Sequence, residues 1–492
     1  FLCEICMIVR TRLAPSPTGK MHIGTLRTAL FDYFLAKQHG GQFIIRIEDT
    51  DQGRLVPGAI ENLLEMFQAV NISHDEGPFL QADGTMVERG DVGPYVQSVR
   101  LPLYKTYADK LVQNGFAYPC FCTTERLDDM RKAQTAVKQT TKYDRQCLTL
   151  TAAEAKSRID AGECYVIRIK IPEGKTEFVD AIRGLIAFDN QDVDDCIIIK
   201  SDGFPTYYLA CVVDDHLMNI SHILRGEEWI SSTPKSLILC SMLGWQSPVF
   251  AHVPVLLGPD KKKLSKRTGD SAVEEYFKHG YLAEAIVNFI GTLGFNPSGD
   301  REIFALQELV DAFDLSKVNS AGAILNMEKL DWMNRHYLMQ LTEEELVNRA
   351  KHFVAADCTD QRVRRAMFVE RSRISRMTEF DHAIAPYLAL PLYDASVVIW
   401  KKADAADAIT QLSGVREYIR ALDSTVFDAA DLLESRIKEY ITSKGLQNGN
   451  VLWPLRVALS GSEKSATPFE LLWALGTEES LQRIDIAIQK LQ

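Results

Sequence analysis

The chain opens with apolar runs whose spacing changes from that of strands to that of helices. Residues 8–14 form a short β-rich run that a Pro/Gly-rich loop ends, and from 24 to 38 Leu26, Leu30 and Phe34 recur every four residues, which predicts a helix. Gly40-Gly41 stop that helix. Residues 43–47 then predict a second strand and 59–70 a second amphipathic helix. A strand–helix–strand–helix order closes right-handed into a parallel sheet, with its ligand at the carboxyl ends of the strands. Neither GxGxxG nor GxxxxGK[ST] occurs, so a phosphate ligand must be held in some other way.

Farther along, residues 95–199 mix helical segments with strand runs such as 164–171, and we read them as an insertion into a first domain split between 7–94 and 200–258. Strand and helix resume at 206–218, with 223–228 and 253–257 as further strands. Residues 259–325 connect to a helical region spanning 326–492, with helices expected at 342–354, 415–422 and 429–442. The fold class that follows is α/β: a Rossmann-like parallel nucleotide-binding sheet with an inserted α/β domain and an all-helical C-terminal region.

At 492 residues there is room for three or four domains, and 46% hydrophobic with 25% charged residues is ordinary globular composition. No apolar run approaches the roughly 18 residues a membrane span needs. Residues 1–6 read as an upstream extension rather than a secretion signal. Ten cysteines are too sparse for a disulfide scaffold and read as reduced thiols, which points to the cytoplasm. A net charge of −11 argues against a general nucleic-acid coat. Two basic stretches still suggest RNA: residues 100–147 carry nine Lys/Arg against five Asp/Glu, and residues 362–376 six Arg against one Glu.

Two distant segments carry the chemistry. In Pro15-Ser-Pro-Thr-Gly-Lys-Met-His22-Ile-Gly24-Thr25, His22 and Gly24 sit where a strand turns into a helix. Backbone N–H groups there suit phosphate, and glycine permits close approach of an adenosine. Lys261-Lys-Lys263-Leu-Ser265-Lys266-Arg267 concentrates cations on a later loop. Preorganised cations aimed at a developing phosphate charge commonly contribute about 3 to 4 kcal/mol of transition-state stabilisation. His22, Lys263 and Lys266 are therefore the catalytic candidates.

These segments resemble the HIGH and KMSKS signatures of class I aminoacyl-tRNA synthetases. The wording Arg12-Leu-Ala14-Pro-Ser16-Pro-Thr-Gly with Arg46-Ile-Glu48-Asp-Thr-Asp is similar to the bacterial glutamyl-tRNA synthetases. Thr25 stands in place of the final His of the general signature. The resemblance implies ligation of L-glutamate to tRNA(Glu) through a glutamyl-adenylate, with ATP and Mg²⁺, by a monomer, and with activation dependent on bound tRNA. It places Gly24, Thr25, Glu228, Trp229, Leu256 and Ser265 with His22, Lys263 and Lys266 around ATP. Arg12, Ala14, Ser16, Glu48, Tyr207 and Arg225 go around glutamate, whose two carboxylates need guanidinium groups and whose ammonium needs an acid. The alternative is that Arg12 and Glu48 simply pair with each other. Cys211 replaces an Asn that contacts substrate in some members, which leaves that contact in question.

The resemblance also makes residues 95–199 a tRNA acceptor-binding insert and 326–492 an anticodon-binding region, on segments such as 326–334 and 452–461. A truncated relative, glutamyl-queuosine tRNA synthetase, lacks that last region. Cys120, Cys122 and Cys147 match three ligands of a zinc site in some members. Thr149 stands where the fourth, a His, is expected, so zinc stays open. A nucleotidyltransferase is the rival enzyme, and a noncatalytic RNA-binding paralogue the rival without chemistry. The helical region argues against the former, and retention of His22 and Lys266 against the latter.

Overall fold

The computed structural model describes residues 8–264, 272–401 and 403–492. The upstream extension at 1–6, and Ser265, Lys266 and Arg267 of the lysine loop, lie outside the described residues. The chain divides into two compact units: residues up to 275 with 286–326, and residues 276–285 with 327–492.

The first unit is built on parallel strands. Arg10–Leu13 pairs with Gln42–Ile45 in register, and His222–Gly226 pairs in the same way with Val249–Val253. Ser221 joins the two pairs: its N–H donates to Arg10 O at 2.9 Å and its Oγ accepts from Arg10 N at 2.8 Å. The chain thus leaves Arg10–Leu13 toward one neighbour through the helix Ile23–Gln38, and returns on its other side more than 200 residues later. That reversal opens a crevice at the carboxyl ends, the usual ligand position in such sheets.

Ile23–Gln38 is apolar nearly all round because it is covered nearly all round: Ile23, Leu26, Leu30, Phe31 and Phe34 are each fully buried. The parallel strands are likewise apolar runs buried on both faces, as in Phe43, Ile44 and Ile45. The expected strand over 253–257 is two pieces. Val249–Val253 belongs to the parallel sheet, and Leu256–Leu257 pairs instead with Ala323–Ile324. Pro254 lies between them and has no N–H to continue a ladder. The strand expected through Glu228 stops at Gly226, where a 3₁₀ turn over Glu227–Ser232 begins.

Ala117–Cys120, Val166–Ile169 and Ile197–Ile199 form a three-stranded antiparallel sheet with Val166–Ile169 central. One hydrophobic cluster runs from Tyr104, Ala108 and Leu111 of the helix Leu101–Gln113, through Ile169 and Ile198, to Leu209, Val213 and Leu239. A hairpin, Lys175–Asp180 with Gly184–Asp189, touches Val249–Val253 where Asp180 meets Phe250.

The second unit is helical throughout its described residues from 327 onward, including Glu343–Ala350, Ala405–Arg420, Ala430–Ser443 and Pro468–Leu491. The last of these starts in a capping box, Thr467 with Glu470. Among the described residues no helix is long and apolar enough to cross a membrane.

Candidate functional site

A cleft of ≈ 540 Å³ opens at the carboxyl ends of the parallel strands. It is lined by Arg12, Ala14, Ser16, His22, Gly24, Thr25, Glu48, Tyr207, Arg225, Glu228, Trp229, Leu256 and Lys263. Every nucleotide- and glutamate-site residue expected from sequence and described in the structure therefore lines this one cavity. Another cavity, ≈ 630 Å³, is lined by Arg10, Gln42 and Ser221 at the strand starts and also by Cys211, Asp215 and Arg225, and has neither the glycine loop nor the lysines.

His22 is the N-cap of Ile23–Gln38: its Nδ1 accepts from Gly24 N at 2.9 Å. A neutral ring in that arrangement carries its proton on Nε2. Glycine at 24 serves this cap directly, since a Cβ there would sit 3.1 Å from His22 Nδ1. The far end of the lysine loop returns to the same place. Ala272 bridges His22 in antiparallel fashion, and Val273 N donates to Met21 O at 2.9 Å. At its near end, Lys263 bridges Leu257.

At the other end of the cleft lies a buried charge network. Arg12 Nε donates to Asp215 Oδ1 at 3.1 Å, and Arg46 Nη1 to the same oxygen at 2.7 Å. Arg46 Nη2 donates to Glu48 Oε1 at 3.0 Å, and the Cys211 thiol to that oxygen at 2.7 Å. Arg12 and Glu48 thus do not pair with each other: Asp215 takes Arg12, Arg46 takes Glu48, and Arg46 also reaches Asp215, so both belong to one buried ion network. Burial pushes the Glu48 carboxyl above its ordinary range and Arg46 draws it partly back. Burial also opposes ionisation of Asp215, but Arg12 and Arg46 outweigh it and hold that carboxyl low. Arg225 completes this end, its Nη1 donating to the Tyr207 hydroxyl at 3.0 Å. The Tyr207 ring stacks on Trp229 with centroids 4.4 Å apart.

Sequence reasoning missed Asp215 as the anchor of two arginines, because no local spacing links it to Arg12. It also missed Arg27, a buried residue that lines the cleft and donates through Nη2 to Pro254 O. Its Nε and Nη1 have no hydrogen-bond partner among the described residues, and burial lowers its pKa to about 10. Its position one turn after Gly24 was the available signal.

Cys120, Cys122 and Cys147 form one cluster, their sulfurs within 4.8 Å of one another. Thr149 is outside it, with its hydroxyl on Gln146 O. The Tyr143 oxygen adjoins the cluster, 3.4 Å from Cys120 Sγ and 3.3 Å from Cys122 Sγ. The three thiols suit zinc in softness, and the hard Tyr143 oxygen brings the donor atoms at this place to four.

The basic stretches are largely neutralised within the molecule. Arg100 is buried against Asp214, Arg126 pairs with Asp144, and Arg145 with Asp195. In the helical unit Arg362, Arg364, Arg373 and Arg376 pair with Glu479, Glu343, Glu470 and Glu379, while Arg365 and Arg371 lie over the rings of Trp473 and Phe368. The run of arginines is therefore not a bare cationic face.

The tRNA synthetases class I (E and Q), catalytic domain, match residues 8–332, and an anticodon binding domain matches residues 345–488. The glutamate–tRNA ligase of Clostridioides difficile is 40% identical over 97% of this chain and 98% of its own, and that of Lachnoclostridium phytofermentans 42% identical over 98% and 99%. A crystal structure of a glutamate tRNA ligase from Elizabethkingia meningosepticum, in complex with its amino acid, superposes with a TM-score of 0.85 at 33% identity, covering 99% of this chain and 100% of that one. With its sheet reversal, its capped glycine turn and these likenesses along nearly its whole length, the chain belongs to the glutamate–tRNA ligase family of class I tRNA synthetases.

Proposed function

We propose that the protein ligates L-glutamate to tRNA(Glu) in two steps: glutamate and ATP give glutamyl-adenylate and pyrophosphate, and the terminal ribose of tRNA then attacks the activated carbonyl. The observation that carries this reading is the single cleft lined by His22 and Gly24 from one segment, Leu256 and Lys263 from the other, and the Arg12, Glu48, Tyr207 and Arg225 cluster beside them.

Each residue then has a physical task. Arg12 and Arg225 receive the two carboxylates of glutamate, with Ala14, Ser16 and Tyr207 shaping the pocket, and Glu48 receives the ammonium. Glu228, Trp229 and Leu256 flank the adenosine, while Gly24 and Thr25 at the helix start admit the triphosphate. His22 donates from Nε2 to phosphate oxygens, and Lys263 and Lys266, with Ser265 between them, stabilise the charge that develops on the α-phosphate and pyrophosphate. Mg²⁺ enters on the phosphates and needs few protein ligands. No side-chain nucleophile is required, because positioning and electrostatics suffice.

Residues 95–199 hold the acceptor end of tRNA and residues 326–492 its anticodon. Cys120, Cys122 and Cys147, with Tyr143 beside them, would hold a structural zinc, which would tie the acceptor-binding sheet to the segment after it. The protein works as a monomer in the cytoplasm, where its tRNA is used.

Pyrophosphate exchange and aminoacylation with purified tRNA(Glu) test the reading. Exchange is expected only with tRNA present, and Lys263→Ala is expected to lower kcat about 100-fold. Equal exchange with and without tRNA contradicts the tRNA dependence, and absence of glutamyl-tRNA contradicts the activity.

A further inference from the structure

The orientation of Arg225 is set by residues that do not reach the cleft. Besides its contact with Tyr207, Arg225 donates through Nη2 to Thr233 Oγ1 at 2.8 Å and through Nε to His252 Nε2 at 3.1 Å. His252 is its register partner on the neighbouring parallel strand and is fully buried. On the other side of the imidazole, Nδ1 lies 2.6 Å from Asp180 Oδ2. Asp180 is itself held in place. Its Oδ1 accepts from Ile182 N and Arg183 N, both at 3.0 Å, and its Oδ2 from His252 N at 3.0 Å.

These contacts leave one protonation state. A carboxylate already accepting backbone N–H groups has no proton to give, so the short contact requires His252 to carry its proton on Nδ1. The neutral ring then presents a lone pair at Nε2. The guanidinium N–H of Arg225 that faces that nitrogen is always a donor, while the Thr233 hydroxyl, 3.2 Å away, also has Trp229 O as an acceptor at 3.2 Å. The opposite tautomer, or an imidazolium, would set N–H against N–H and drive the Arg225 plane away.

We propose that His252 is a positioning residue for substrate binding: the tautomer that Asp180 selects aims the Arg225 guanidinium at a carboxylate of the amino acid. The proposal rests on the reading of the cleft given above. The charged groups around the ring are Asp180 from the hairpin strand, Arg225 from the parallel strand, and Arg183 from the hairpin turn, whose Nε donates to His252 O at 3.0 Å. Burial among Phe178 and Phe250 lowers the His252 pKa from its ordinary value, Asp180 pulls it back in part, and the two arginines lower it again. The ring is accordingly neutral at the pH of protein synthesis.

The test compares His252→Leu, which has no acceptor, with His252→Gln, whose side-chain oxygen retains one, and includes Arg225→Ala. His252→Leu is expected to raise the KM for glutamate about tenfold, with kcat and the KM for ATP within about twofold, and His252→Gln to recover most of the loss. If Arg225→Ala leaves the glutamate KM unchanged, the reading of the pocket fails. If Arg225→Ala raises it and His252→Leu does not, the positioning role is overturned while the pocket stands. Nitrogen-15 spectra of the wild-type protein decide the tautomer even where a variant fails to fold. Protonated Nδ1 with bare Nε2 at neutral pH supports the proposal, and protonated Nε2 overturns it.

Discussion

The Cys211 thiol donates to Glu48 Oε1 across 2.7 Å, inside the cluster that also holds Arg12, Arg46 and Asp215. Burial, reinforced by the neighbouring Glu48, holds this thiol well above its ordinary range, so it remains S–H, a donor and not a nucleophile. It is a second hydrogen-bond donor, besides Arg46, on the same oxygen of Glu48. Cys211→Ser preserves a donor and should leave glutamate binding near wild type. Cys211→Val removes it at similar volume, and a net hydrogen bond to a charged group of about 1.5 kcal/mol predicts a KM for glutamate raised about tenfold. Steady-state aminoacylation measures both, and identical KM values for the Val variant and wild type would deny the thiol any part.

Asp214 should prove essential to the stability of the first unit. It is fully buried and accepts from Gln97 Nε2 at 2.8 Å, Arg100 Nε at 2.7 Å and the Tyr104 hydroxyl at 2.8 Å. Asp214→Ala leaves the buried Arg100 cation without its counter-charge, a loss of about 3 to 5 kcal/mol. Urea denaturation is expected to show a lower midpoint, and a shift under 1 kcal/mol, about the value of an exposed pair, would refute the assignment.

His74 predicts a pH dependence of stability. Its Nε2 donates to Pro78 O at 2.8 Å and its ring stacks on Phe79 at 3.9 Å. Burial lowers its pKa from 6.5 to about 4. The unfolded chain therefore binds the proton more readily than the folded one between these values, so stability rises with pH across that window and is lost as pH falls from 6.5 toward 4. The drop attributable to His74 is about 2 to 3 kcal/mol. Denaturation at pH 7 and pH 5 should show a smaller difference for His74→Gln than for wild type, and an unchanged difference would assign the effect elsewhere.

Tyr143 is the predicted fourth ligand at the cysteine cluster. Wild-type protein purified without added zinc should carry close to one equivalent by metal analysis. Tyr143→Phe should release it to a chelator about tenfold more readily, and Cys147→Ser should empty it. A wild-type stoichiometry near zero would remove the site.

Much of the site could be read in the chain itself. His22, Gly24 and Lys263 were legible because a helix start, a glycine and a lysine loop are defined by neighbours within a few residues, and so was the strand–helix–strand that sets them at the carboxyl ends of a sheet. Arg12 and Glu48 were legible as types, a guanidinium and an acid at strand ends, but Asp215 as the partner of the one and Arg46 as that of the other were not. The nearness of Tyr143 to the three thiols was not legible, because spacing pointed to Thr149 and only distance in the fold brings the phenol there.

The apolar rhythm and short-range chemistry of the sequence alone determined the α/β plan, the helical second unit and the residue types of the cleft. Only the tertiary structure decided which charges meet: Asp215 with Arg12 across 203 positions, Asp180 with His252 across 72, Cys211 with Glu48 across 163. A buried charge must find an opposite charge or a hydrogen bond within a few ångströms. Sheet register and chain reversal set those ångströms, and neither is written in the spacing of residues along the chain.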